Sequence, residues 1–379
     1  MAGGRPQQHD ICLVIADLSG GGGQRVLTQL AAAWSERGRR VCVVTFGTPQ
    51  SDAFPLDPRA TRVCLGGIGP SHGTLAALRA NLARLLALRR AIRASRAPTV
   101  VSFIGTTNIL TVLATMGLKV RVVISERNDP ARQTLGRVWD HLRRLIYPRA
   151  DVVTANSRAA LDSLARFVPR RKLAFVANPL KLPTQPPGTE TRERTILNVG
   201  RLTTQKAQDV LLDGFAALGE TARDWRLVIV GGGEAGDALH RQAEALGIAR
   251  RVDFTGQVAD PFPYYQRAGI FVLPSRFEGT PNALLEAMAC GLPSIVSDAS
   301  GGPLAYVENE RTGLVVPADD AEALAAAMRR LITDEPLRAR LAVAARERIA
   351  MHDADDALAT WEDVLGWQHE TPGPGTQPA

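Results

Sequence analysis

The chain has 379 residues, 45% hydrophobic and 22% charged, with a formal net charge of +7. That is a globular composition with enough length for two ordinary domains. No apolar run reaches the roughly eighteen residues of a spanning helix, and the polar start MAGGRPQQHD leads straight into a strand, unlike a signal peptide.

The charge is divided unevenly. Residues 1–180 hold 26 Lys and Arg against 10 Asp and Glu, whereas residues 181–379 hold 19 against 28. A basic half and an acidic half suggest two domains with different partners. A basic domain can face nucleic acid or anionic lipid. With 5% aromatics and no helix-turn-helix, zinc-finger or aromatic-rich RNA signature, nucleic acid is the weaker choice. Cys12, Cys42, Cys64 and Cys290 lack metal-ligand spacing and read as reduced core thiols of a cytosolic protein.

In chain order, ICLVIA reads as a central parallel strand, SGGGGQRV as a turn, VLTQLAAAWSERG as a helix ending at Gly38, and VCVVTF as the next strand. The glycines from Ser19 to Gly23 are not a GxGxxG run. They let a ligand approach the backbone or simply form a flexible turn. Residues 74–96 form a basic amphipathic helix carrying Arg79, Arg84, Arg89, Arg90, Arg93 and Arg96. Its leucines are expected to dock on the sheet, and its arginines leave association with an anionic membrane open. TVVSF ends near Thr106, Thr107 and Asn108, where open α/β sheets bind ligands. VRVVIS is followed by Glu126, Arg127, Asn128 and Asp129, a run that serves either as a charged turn or as ligand contacts. A basic helix, the strand DVVTANS with capping Asn156 and Ser157, and a strand in KLAFVANPL complete the half. LPTQPPGTETRE, 182–193, reads as a linker.

The α/β pattern then restarts. TILNV leads to a loop holding Arg201 and Lys206, cations suited to a diphosphate at a sheet edge. WRLVIV leads to Gly231–Gly233, and RVDFTG leads to Gln257 and Val258. The stretch from Arg276 to Asp298 organises the rest. Thr280 is expected to cap a helix starting at Pro281, with Gly291 closing it and Pro293 preventing continuation. The open amides of that helix make an anion site. Glu278 precedes it, and Glu286, a little over two turns later, lies on the same side. Anion site and acceptor-only side chains together suit a diphosphate beside hydroxyl-rich groups, as in a nucleotide sugar. The competing reading has Glu278 answering the helix dipole and Glu286 in solvent. Two helices follow at 320–333 and 335–350, then a further segment with Trp361 and Trp367, and a tail, 368–379, expected to be disordered. There is no internal repeat.

EGTPNALLEAMACGLP with the following SD resembles the signature of family-4 glycosyltransferases, retaining enzymes of the GT-B fold. Gly200, Arg201, Leu202, Gln205 and Lys206 match the family's Gly-Arg-Leu and Gln-Lys pattern, and the resemblance spans about residues 10–365. It implies an α/β GT-B architecture, two Rossmann-like domains facing across a cleft. Residues 1–181 would form the acceptor domain and 194–352 the donor domain, with the segment 353–367 crossing back to the first. The donor would be held by Gly23, Arg201, Lys206, Gln257, Val258, Glu278, Gly279, Thr280, Pro281, Asn282 and Glu286. Among these, Arg201 and Lys206 would grip the phosphates, Glu278 would hold the sugar and Glu286 the ribose. Arg201, Lys206 and Glu278 would carry catalysis. Glu126, Arg127 and Asn128 would face the acceptor, in a loop where many members place a histidine, and Gln24 stands where the family usually has Glu. The run Ser-Glu-Arg-Asn-Asp is similar to a subgroup that builds bacterial surface polysaccharides or oligosaccharides.

The Asp353 and Asp355–Asp356 run is the nearest to an Asp-x-Asp metal motif, and it lies away from the ligand loops. The expectation is therefore a metal-independent enzyme without cofactor, and the resemblance implies a retaining hexosyltransferase. It would use a nucleotide diphosphate sugar, UDP first, and a glycan or lipid-linked acceptor. It would be cytoplasmic and peripheral on the inner membrane face, with no nucleic-acid partner. The alternative is a non-catalytic nucleotide-sugar-binding subunit of a membrane-associated assembly.

Overall fold

The computed structural model describes residues 8–19, 21–66, 74–131, 133–179, 192–258, 260–299, 301–350 and 354–367. The linker, except Arg192 and Glu193, and the tail 368–379 lie outside these residues.

The first half runs β1 (Ile11–Ile15), α1 (Gly22–Glu36), β2 (Val41–Thr45), β3 (Thr61–Cys64), α2 (Thr74–Ser95), β4 (Thr99–Phe103), α3 (Gly105–Thr115), β5 (Arg121–Glu126), α4 (Arg137–Ile146), β6 (Val152–Ala155), α5 (Arg158–Leu164) and β7 (Leu173–Phe175). Its strands form one parallel sheet of order β3-β2-β1-β4-β5-β6-β7. β1, β2 and β4 are covered on both faces, which is why they read as unbroken apolar runs. The connection reverses between β1 and β4, and that switch point opens a crevice at the carboxyl ends of the strands.

The second half repeats the design: β8 (Thr195–Val199), α6 (Gln208–Ala216), β9 (Arg226–Val230), α7 (Gly236–Ala245), β10 (Val252–Gly256), α8 (Phe262–Arg267), β11 (Ile270–Leu273), α9 (Asn282–Ala289), β12 (Ser294–Ser297), α10 (Gly301–Leu304), β13 (Leu314–Val316), α11 (Ala321–Thr333) and α12 (Glu335–Ala350). The parallel order is β10-β9-β8-β11-β12-β13, with its switch point between β8 and β11. Leu284, Leu285 and Met288 of α9 are buried with Phe271, Leu273 and Ile349, roughly 1.5–3 kcal/mol for each large side chain. This packing fixes where α9 begins.

The last helix, α13 (Ala354–Leu365), packs on the first sheet. Trp361 is fully buried, edge-on to Trp34 at 6.4 Å between ring centroids and 5.8 Å from Phe103. On the opposite face of that sheet, Leu88 and Ile92 anchor α2 in the core. Leu82 and Leu86, by contrast, are 54% and 45% exposed, so only part of the leucine face docks as expected. Among the described residues no helix is long and apolar enough to cross a membrane.

Candidate active site

The loops after β8 and β11 are built against each other. Gln205 Nε2 donates to the Phe277 carbonyl at 2.9 Å, and the Arg276 amide donates to the Gln205 carbonyl at 2.8 Å. Arg276 is itself held by Asp209 at 2.8 Å and Asp319 at 2.6 Å. This bracing brings Lys206 Nζ within 2.5 Å of Glu278 Oε1, which also accepts from Ser275 Oγ at 2.7 Å. Behind the loop, Gly231 at φ 143° approaches so closely that a Cβ would stand 1.9 Å from the Gly200 carbonyl. No other residue fits that position.

The sequence reading needs a correction at the start of α9. The helix begins at Asn282, Pro281 is the cap residue, and no side chain caps it. Thr280 Oγ1 instead donates to the Asn156 carbonyl of the first domain. Thr280 therefore joins the domains, and the first amides of α9 stay open for an anion.

Glu286 is not in solvent. Its side chain is 5% exposed and pairs with Arg25 from the first turn of α1 at 2.6 Å. Burial pushes its carboxyl up, and the Arg25 guanidinium pulls it back. Other links cross beside this pair: Asn178 Nδ2 to Asn282 Oδ1 at 2.5 Å and Gln257 Nε2 to the Ser19 carbonyl at 3.1 Å. Between the two sheet edges lies a cleft of about 590 Å³. Gly23, Arg201, Lys206, Gln257, Val258, Glu278, Gly279, Thr280, Pro281, Asn282 and Glu286 all line it. Size and mixed lining suit a small polar ligand.

On the first-domain side Arg127 and Asn128 line the cleft. Arg127 is 6% exposed, its Nη1 bonded to Asn178 Oδ1 and its guanidinium over the rings of Phe103 at 5.2 Å and Trp361 at 5.5 Å. Its Nε and Nη2 are buried and have no hydrogen-bond partner among the described residues. Burial pushes this guanidinium down to about 9. Glu126 is a second correction. It belongs to β5, is 2% exposed, and does not line the cleft. Its carboxylate accepts from the Tyr147 hydroxyl at 2.7 Å and the Arg127 amide at 3.1 Å. It supports the loop from below. Thr107 and Asn108 are also buried, inside α3, where Asn108 donates to the Ser125 carbonyl at 3.0 Å. Arg25, Asn156 and Asn178 also line the cleft. The sequence marks Arg25 only as part of the run Gly22, Gly23, Gln24 and Arg25, which is similar to the family's Gly-Gly-x-Glu-Arg, without giving it a site role; the other two are apparent only in three dimensions.

Two known family models match the chain. Residues 184–348 fit "Glycosyl transferases group 1" and residues 21–179 fit "Glycosyl transferase 4-like domain". The chain belongs to the group-1, family-4-like glycosyltransferases. It is a glycosyltransferase of the GT-B fold. An α-1,4-N-acetyl-D-galactosaminyltransferase of Campylobacter jejuni, named for a diNAcBac-PP-undecaprenol acceptor, is 29% identical over 94% of this chain and 98% of its own. Sucrose-phosphate synthase of Thermosynechococcus elongatus shares the fold at TM-score 0.81 and 21% identity, covering 95% of this chain and 98% of that one. Anabaena HepE, solved with UDP and glucose, does so at 0.76 and 18%, covering 95% and 100%. In this glycosyltransferase, then, the cleft places two carboxylates, two cations and an open helix start at one sheet edge. That edge can neutralise an anionic leaving group and hold hydroxyls.

Proposed function

We propose that this glycosyltransferase transfers a hexose from a nucleotide diphosphate sugar, UDP first among the candidates, to a hydroxyl of a lipid-linked or glycan acceptor in polysaccharide assembly. The observation that carries the reading is the convergence of Arg201, Lys206, Glu278, Glu286 and the uncapped α9 start in one cleft. Arg201 and the α9 amides receive the diphosphate, Lys206 stabilises charge as it develops on the leaving nucleotide, Glu278 holds the sugar, and Glu286 takes the ribose. These groups meet the diphosphate charge without a metal, and retention of configuration follows from the family resemblance. Arg127 and Asn128 face the acceptor.

The same reading puts the protein at the inner face of a membrane and not on nucleic acid. Leu82 and Leu86 of α2 and Val138 and Leu145 of α4 are exposed large apolar side chains, flanked by exposed Arg90, Arg93 and Arg144. Basic residues beside apolar ones suit an anionic bilayer.

The test incubates the protein with UDP-, GDP- and ADP-hexoses and an undecaprenyl-diphosphate glycan in chelator, and follows nucleotide release and product anomer by NMR. Transfer with an α-linked product from an α-linked donor supports the reading. Transfer only with added divalent metal, or with inversion, overturns the mechanism. No transfer from any donor overturns the substrate class.

A further inference from the structure

Among the described residues the cleft lining holds six charged side chains: Arg25, Arg127, Arg201 and Lys206 against Glu278 and Glu286. The balance is +2, the charge that offsets the two phosphate charges of a nucleotide diphosphate sugar. Each carboxylate already has a cation. Lys206 holds Glu278 at 2.5 Å and Arg25 holds Glu286 at 2.6 Å. Arg25 differs from Lys206 in its origin. It projects from α1 of the first domain into the second, where its guanidinium also lies 6.0 Å from the Phe262 ring centroid. Glu286 is the group read as the ribose acceptor, so a ribose must share it with Arg25 or take it from Arg25.

The surroundings favour transfer of the carboxylate. Glu286 sits on a buried helix face, with 5% of its side chain exposed against 19% for Arg25. The guanidinium, on a long flexible stem, is the partner that can move. Three residues before it, Gly22 lies where a Cβ would stand 3.4 Å from Asn282 Nδ2, at the start of α9. Arg25 thus lies about one helical turn along α1 from the contact with Asn282, the first residue of α9. A carboxylate left without a cation beside a diphosphate would be repelled by it. A cation that moves from the carboxylate onto the phosphates offsets the phosphate charge that faces the freed carboxylate and so lessens that repulsion.

We propose that Arg25 is a donor-positioning residue supplied by the first domain, which gives Glu286 to the ribose hydroxyls and moves onto the diphosphate as the nucleotide enters. The proposal rests on the donor reading above. It makes the diphosphate the signal that releases Glu286 and couples donor recognition to the seating of α1 against the second domain.

The experiment measures binding of uridine and of UDP to the wild type, Arg25→Ala and Arg25→Lys by NMR titration and calorimetry, with melting temperature as the control for folding. Uridine has the ribose but nothing for Arg25 to move to. The expected result for Arg25→Ala is therefore opposite in sign for the two ligands: uridine binds several-fold more tightly than to wild type, and UDP roughly tenfold more weakly. Arg25→Lys should keep UDP within a few-fold of wild type. If Arg25→Ala weakens both ligands, or leaves UDP unchanged, the transfer of Glu286 is overturned and the ion pair only joins the domains. If wild type binds UDP, GDP and ADP not at all, the donor reading fails first.

Discussion

The two sheet edges that face the cleft are built on different plans. At the second-domain edge, Lys206 and Glu278 come from loops braced through Gln205, Phe277 and Arg276, and the uncapped α9 start lies beside them. At the first-domain edge, consecutive residues part company: Arg127 lines the cleft, while Glu126 lies buried under it with Tyr147. The second edge gathers cations, carboxylates and open helix amides on braced loops. The first holds Arg127 over an aromatic floor of Phe103 and Trp361, the latter brought by α13. Both edges are assembled from residues distant in sequence, but the second is braced by hydrogen bonds between its own loops, whereas the first rests on an aromatic floor supplied in part by the last helix.

Four substitutions test this contrast. The largest effect is expected from Glu278→Gln. With Glu278 in its proposed role on the donor sugar, removing its charge should lower kcat by about 10²–10³-fold with little change in UDP affinity, read by steady-state kinetics beside binding. Arg201→Ala comes next. A hydrogen bond to a charged group contributes about 1.5–3 kcal/mol, so UDP affinity should fall about 10–100-fold, read by calorimetry. Arg127→Met tests the other edge. It replaces a buried cation, whose Nε and Nη2 lack partners among the described residues, with an apolar side chain of similar volume. Stability should stay within about 1 kcal/mol of wild type or rise, UDP affinity should be unchanged, and acceptor kcat/KM should fall. A drop in UDP affinity would move Arg127 to the donor side.

The smallest effect belongs to Glu126→Gln. Burial raises the Glu126 carboxyl above its ordinary 4.5, so folding disfavours the ionised form. Its contribution is fully present below 4.5 and is lost as pH rises through the folded value. The amide should therefore be about as stable as wild type near pH 4 and slightly more stable at pH 7, by denaturant titration. A loss of transfer activity with unchanged stability would instead return Glu126 to the acceptor site.

Much of this was legible in the chain. Both doubly wound sheets follow from apolar strand runs alternating with helices, and the anion receiver follows from a helix start preceded by Glu278 after a strand. What failed was local capping logic at Thr280, because a hydroxyl that can satisfy a helix amide can equally bond Asn156 across the cleft. The reading of Glu286 as either solvated or ribose-bound missed a third state, the pair with Arg25, because that partner is 261 positions away. Glu126 was misplaced for a related reason. A charged residue after an apolar run reads as a loop, but here the strand extends through it and Tyr147 accommodates the carboxylate.

The central claim is that the second-domain edge receives a nucleotide diphosphate. Its most direct test is calorimetric titration of UDP, GDP and ADP into wild type and Arg201→Ala in the presence of chelator. Wild type should bind UDP, and Arg201→Ala should weaken that binding about 10–100-fold. Preference for GDP or ADP with the same loss would keep the receiver and change the donor class. Absence of binding by all three, or binding indifferent to Arg201, would contradict it.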